Sequence, residues 1–390
     1  MCRFDAEEMA GRLARVRARM QAEGIDVLLL QNPASMNYLT GYDAWSFYEP
    51  QAVLLDAAGE PPIWIGRPQD ANSARLTTRL GDGDILTYPE QWIEYPEHHP
   101  AERFVEVLKE RGWDRGRIGV EGDAYCSTPR VWWELQRTLE GAEIVDADLL
   151  VSWVRSVKSD AEIECMREAA EIAGRATQVA RETIRPGIRE GDVVAEVVRA
   201  QILGTPEYGG AYPAIYPILL TGRKSSSSHT AWSDARLEAG NPVVLELAGC
   251  RSRYHAALCR TFFLGTPPDG YRRLTEIVGE AYRAAFDAIR PGVRCEDVEA
   301  AWREVLTRHG MTKESRLGYT IGLGYPPNWG ERTASLRAGD RTPLLPNMTF
   351  HLLGGLWLDP WGYEVSETIR VTEQGVEALT SFERGLLVRA

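Results

Sequence analysis

Asn241 to Gly265 runs NPVVLELAGCRSRYHAALCRTFFLG, and the reading of this stretch decides the fold. It predicts two strands joined by a tight turn: an apolar run after Pro242, then a second strand from Tyr254 to Leu264. One carboxylate, Glu246, interrupts the first strand. Burying an unpaired carboxylate is costly, so Glu246 needs a reason. Either it forms a structural ion pair, for which Arg260 is the nearest candidate, or it is a nucleophile or general base in a dry site.

On both sides of the hairpin the sequence repeats. IRPGIREGDV (184–193) returns as IRPGVRCEDV (289–298). In each copy a long helical pattern precedes the Pro-Gly turn, a second helix follows it, and strand-rich sequence comes next. Residues 158–390 therefore read as a duplicated helix-helix-sheet unit with a site expected where the halves meet.

Residues 1–157 read as a separate α/β domain. A helix over 6–23 leads into the apolar run Ile25–Leu30, and further strand candidates start at Ala52, Pro62, Ile85 and Ile118. This pattern predicts a mixed sheet with flanking helices. Between them, MNYLTGYDAWSFYEP (36–50) reads as an aromatic loop, suited either to core packing or to an apolar or cationic ligand. Leu149 to Val157 predicts a short helix at the domain boundary. Ser159 then caps a long amphipathic helix.

A net charge of -12 argues against nucleic acid or an anionic membrane surface as partner. No apolar run approaches a membrane span. The six cysteines form no CxxC pair and predict reduced thiols rather than a disulfide framework. The charged N-terminal stretch has no signal-peptide core, so a cytoplasmic protein is expected.

The hairpin, its closing CRTFFLG and the stretch LGYTIGLGY resemble the pita-bread fold of the creatinase/prolidase family. The resemblance covers the whole chain and implies an α+β architecture: an N-terminal creatinase-like α/β domain over 1–157 and a pita-bread domain over 158–390. Metal-dependent members hold two divalent ions with five ligands. By resemblance those positions fall on Glu246, Ala257, Tyr319, Leu353 and Ser366, with Glu367 one place further on. Only Glu246 remains a carboxylate, which implies a metal-free protein with no cofactor.

The metal-free branch of the family, creatinases and ectoine hydrolases, cleaves C–N bonds at carbons that already carry positive charge. GYPPNWGERTASLR and NMTFHLLGGLWLDPWGYEVSETIRVTE look like the ectoine hydrolases, which open a cyclic amidine. The resemblance implies Glu246 as nucleophile or base and His229, in the Ser-rich loop before the hairpin, as acid/base. It further implies Phe47, Tyr48, Tyr319 and Trp329 around a small cationic substrate, Arg332 on its carboxylate unless it pairs with Glu331, and Glu367 as a supporting contact. It also implies a homodimer in which one N-terminal domain covers the partner's site. Three other readings stay open: a creatinase-type hydrolase of another amidine or guanidine, a metal-dependent Xaa-Pro dipeptidase, and an inactive binding module.

Overall fold

The computed structural model describes residues 3–147 and 149–389. The chain divides into two compact units, Met1–Arg155 and Ser156–Ala390. No helix among the described residues is long and apolar enough to cross a membrane.

The first unit is a six-stranded mixed sheet. Helix α1 (Ala6–Glu23) starts on the Asp5 side chain, which accepts the Glu8 N–H, and stops at Gly24 in a left-handed conformation. Strand β1 (Val27–Leu30) is central, and α2 (Pro33–Thr40) follows it. Strands β2 (Ala52–Asp56), β3 (Ile63–Gly66) and β4 (Ile85–Thr87) extend the sheet on one side. On the other side lie β5 (Gly116–Val120) and β6 (Ala142–Asp146). Helices α3 (Pro68–Thr77), α4 (Ala101–Glu110), α5 (Pro129–Thr138) and α6 (Leu150–Arg155) complete the unit.

The predicted aromatic loop begins later than the sequence suggests. Asn32 caps α2 with its side chain and Pro33 supplies the fixed φ of a first turn, so residues 36–40 are helical and the loop starts at Gly41 (φ 81°). Tyr38 and Tyr42 are buried, whereas Trp45 is 54% and Tyr48 67% exposed.

The second unit confirms the duplication. Helix α7 (Asp160–Thr183) opens on a capping box of Ser159 and Glu162 and is followed by α8 (Glu190–Leu203). The strands β7 (Ile218–Thr221), β8 (Pro242–Arg251) and β9 (Tyr254–Leu264) come next. In the second half, α9 (Asp269–Ala288) and α10 (Cys295–Arg308) precede β10 (Gly318–Tyr325), β11 (Asn328–Leu336), β12 (Thr349–Leu356) and β13 (Tyr363–Val371). Short β14 (Val376–Ala378) and β15 (Leu387–Arg389) pair with β13 and β9. The repeated Pro-Gly turns match in detail. Gly187 and Gly292 have φ of 86° and 83°, and their N–H groups donate to Leu237 and Leu344 carbonyls at 2.8 Å each.

The strands β7 to β15 of this unit join one sheet, ordered β11-β10-β12-β13-β9-β8-β7 along its main path. Helices cover one face at very short range. A Cβ at Gly249 would stand 1.9 Å from the Ala169 carbonyl oxygen of α7, and one at Gly354 would meet Tyr282 of α9 at 2.8 Å. The helix-facing layer, including Leu245, Leu247, Leu258 and Phe262, is apolar and buried. Because strand side chains alternate, Glu246 and its pleat neighbours must point to the other face. Gly249→Ala should therefore lower stability by about 3 kcal/mol or more, read as a reduced urea midpoint, since backbone rather than a flexible side chain fills the space.

Candidate active site

Pairing brings the functional positions into one row. Glu246 on β8 lies opposite Cys259 on β9, Cys259 opposite Ser366 on β13, and Ser366 opposite Leu353 on β12. Directly paired residues share a face, so Glu246, Cys259, Ser366 and Leu353 all project away from the helices. Residues two places along share that face too: Ala257, His351, Gly355 and Glu364. Tyr319 on β10 pairs with His351 and joins them.

A chain of hydrogen bonds fixes the rings. Trp329 Nε1 donates to the Tyr319 hydroxyl at 2.9 Å, which lies 3.0 Å from His351 Nδ1, while His351 Nε2 lies 2.6 Å from Ser366 Oγ. Burial, with the Arg316 and Lys313 charges adding to it, lowers the His351 pKa to about 3, so the imidazole is neutral. With Trp329 donating to the phenol, the network is satisfied when Tyr319 donates to Nδ1 and Nε2–H donates to Ser366. His351 Nδ1 is 3.8 Å from Glu246 Oε1. It holds the phenol and hydroxyl in place beside the carboxyl.

Two carboxyls share the face. Burial and the neighbouring Glu364 push Glu246 well above the ordinary carboxylate range. Burial raises Glu364 to about 7, although the Lys313 charge and the Cys259 thiol pull it down. Lys313 is itself lowered to about 7 by burial, with Glu364 opposing. Arg260 stands beside neither carboxyl, because it points to the helix side. There it pairs with Glu367 and donates to the Ser366 carbonyl at 2.8 Å.

This arrangement corrects several expectations. Arg260 does not pair with Glu246; it neutralises Glu367. Glu367 therefore lies behind the sheet, where Arg384 also reaches it at 3.2 Å, and cannot touch a ligand beside Glu246. The carboxyl facing the site is Glu364, recognisable in the sequence as a residue two places before Ser366. Glu331 is held by Lys158 at 2.6 Å in a buried pair, and Arg332 is exposed on the outermost strand. The guanidinium that sits over Tyr319 belongs to Arg316, 4.2 Å from the ring centroid.

His229 is exposed and its Nδ1 lies 2.8 Å from Ser228 Oγ; the imidazole in contact with Glu246 is His351. The loop carrying His229 is nonetheless firmly anchored. Glu190, buried at the start of α8, accepts from Lys224 Nζ at 2.7 Å on one side of the loop and from the Ser233 N–H at 2.6 Å on the other. Ser225 Oγ accepts the Gly362 N–H at 3.1 Å, fixing the loop two residues from Glu364. Phe47 and Tyr48 belong to the first unit, with Trp45 packed 5.3 Å from Phe47.

The positions that the family uses for metal do converge on this face, but their chemistry does not fit two ions. Ala257 and Leu353 have no donor atom, and the Tyr319 phenol and Ser366 hydroxyl are engaged with His351. Divalent ions in such sites need several carboxylate or imidazole donors each. Among the described residues, no group of three or more His, Cys, Asp or Glu is arranged to hold an ion.

Comparisons with known proteins agree with this architecture. Residues 164–373 match the model of metallopeptidase family M24, and residues 12–157 match the creatinase/prolidase N-terminal domain. The chain belongs to this creatinase/prolidase family of hydrolases. It is 45% identical to an uncharacterized hydrolase/peptidase of Sinorhizobium fredii, over 99% of this chain and 98% of the relative. It is 41% identical to the ectoine hydrolase of Halomonas elongata, over 99% and 98% of the two chains. The crystal structure of dipeptidase PepE from Mycobacterium ulcerans superposes with a TM-score of 0.83 at 25% identity, covering 99% of each chain.

The raised Glu364 gives stability a pH dependence. Below about pH 4.5 the group is protonated folded or unfolded. Between 4.5 and about 7 the folded state keeps a proton that the unfolded chain has lost, so stability falls as pH rises through that window. Glutamine cannot ionise. The melting temperature of Glu364→Gln relative to the unaltered protein should rise from pH 5 to 7 and level off above, measured by calorimetry.

Proposed function

We propose that this hydrolase opens the cyclic amidine ring of ectoine to N-acetyl-2,4-diaminobutyrate, as the Nα isomer, without a metal ion. The observation that carries this reading is the pair of buried carboxyls facing a sheet surface on which the family's metal positions, Glu246 apart, offer no carboxylate or imidazole. A peptide carbonyl is neutral and weakly electrophilic, which is why metallopeptidases polarise it with a Lewis acid. An amidinium carbon is already electron-poor. Two carboxyls attract that cation, and its charge offsets the cost of ionising Glu246 in a buried site. Identity of 41% to an ectoine hydrolase over nearly the full chain supports the same substrate.

In this mechanism Glu246 attacks the amidinium carbon or takes a proton from the water that does. The ring C–N bond breaks, and His229 protonates the departing nitrogen. Water supplies the oxygen of the new amide and the proton that restores the acid. His351 keeps Tyr319 and Ser366 oriented, since a ring this hard to protonate carries no spare proton to donate near neutral pH. Arg332 remains the candidate for the substrate carboxylate that the sequence offers, and Arg316 is the one that the ring contact favours.

The test is to treat the protein with a chelator, add ectoine and follow the ring protons by NMR. Ring opening is expected, with turnover lost in a folded Glu246→Ala variant. Activity that returns only with added manganese and a Xaa-Pro dipeptide would overturn the proposal. Opening of another amidine but not ectoine would leave the chemistry and change the substrate.

The exposed aromatic residues of the 41–50 loop support a second part of the proposal, that the protein is a homodimer with Phe47 serving the partner's site. Mixing Phe47→Ala with Glu246→Ala should then recover up to a quarter of full activity at statistical exchange. No recovery in a mixture shown by mass analysis to have exchanged subunits would refute it.

A further inference from the structure

Glu364 shares with Glu121 of the first unit a buried carboxyl oxygen without a hydrogen-bond partner among the described residues, but Glu364 alone of the two lies on the face that carries Glu246. Glu364 is 3% exposed, and its unpartnered oxygen is Oε1. Buried polar atoms are almost always paired, so an unpaired carboxyl oxygen marks a place where something else completes the bond.

Its neighbours on this face are small. Gly355 lies directly opposite Glu364 on β12, and a Cβ there would come within 3.2 Å of Glu364 Cγ and 3.1 Å of the Trp357 ring. The small residues Gly355, Cys259 and Ala257 surround the carboxyls on this face. Lys313 closes the far side. Its ammonium lies 5.4 Å from the Trp302 ring and 5.3 Å from Trp357, and it donates to the Leu353 carbonyl at 2.8 Å rather than to Glu364. Lys313 thus favours a charged Glu364 without occupying its oxygen.

The sequence gives an independent reason. The family's last ligand position is Ser366, which has lost its carboxylate. Glu364 is one pleat repeat away on the same strand and face, so a carboxylate is retained but displaced along the sheet. There it cannot share an ion with Glu246 in the family manner, but it can face a second atom of the same planar cation. An amidinium presents two N–H groups, and a carboxylate accepts them in charge-assisted bonds.

Resting on the amidine reading above, we propose that Glu364 is the cation anchor of the site, its Oε1 accepting an N–H hydrogen bond from the bound amidinium while Glu246 acts on the amidinium carbon. Glu364 selects cationic amidines over neutral amides of the same shape, and Gly355 is glycine because a methyl group would fill the space beside the anchor.

The test uses acetamidinium chloride, with acetamide as neutral isostere, in NMR titrations at pH 8 of the full chain. Acetamidinium should bind at least tenfold more tightly than acetamide. Glu364→Gln should lose at least tenfold in acetamidinium affinity with acetamide unaffected, and Gly355→Ala should lose affinity for both. Thermal melts establish folding, and should Glu364→Gln fail to fold, Gly355→Ala still decides. Unchanged acetamidinium affinity in either folded variant overturns the anchor, as does equal binding of the two probes to the unaltered protein. Loss of binding in Glu364→Gln together with no ectoine turnover by the unaltered protein would support the anchor and refute the substrate. Ectoine turnover with an unchanged KM in Glu364→Gln would do the reverse.

Discussion

The sealing of one sheet face by helices constrains everything else in the second unit. At Gly249 the backbone of α7 comes so close to β8 that no side chain fits between them. The alternate residues of β8, β9, β12 and β13 that face the helices are thereby committed mostly to an apolar layer or, for Arg260 and Glu367, to a buried ion pair behind the sheet. Chemistry is left to the opposite face. A strand has only two faces, so this one packing decision sorts Glu246 and Glu364 from Glu367, which lies in the same β13 segment as Glu364.

The electrostatics of the sorted face are what the proposed function draws on. Two carboxyls lie together, and burial pushes both upward. The rings beside them are fixed without adding charge, because His351 is held neutral and bonds to Tyr319 and Ser366. A buried like-charge pair is unfavourable in isolation and becomes favourable around a positive ligand. The same sheet that carries a metal centre in the family's metallopeptidases can in this way take a substrate that brings its own positive charge.

Duplication explains why the site lies where it does. Each half supplies two helices to the sealed face and strands to the open one, with matched turns at Gly187 and Gly292. Strands β8 and β9 bring Glu246 and Cys259 from the first half, while β10, β12 and β13 bring Tyr319, His351 and Glu364 from the second. The loop before β8 is clamped by Glu190, a residue of the repeated motif itself, so the motif that builds the fold also steadies the segment carrying His229.

Much of this was legible in the sequence. The repeat, the capping box at Ser159, the hairpin and the isolated Glu246 are local patterns, and local patterns depend on backbone propensity and spacing. The convergence of Glu246, Ala257, Tyr319, Leu353 and Ser366 followed from motif positions. Partner choice among charged residues was not legible, because it depends on which face each strand turns to the helices and on neighbours more than a hundred residues away. Arg260 reaches Glu367 rather than Glu246, Lys158 reaches Glu331, and His351 rather than His229 touches the site carboxyl. The sequence by itself determined the fold and one candidate site carboxylate. Only the tertiary structure decided which second carboxyl stands beside it, since burial and strand register are properties of the assembled sheet and not of any segment within it.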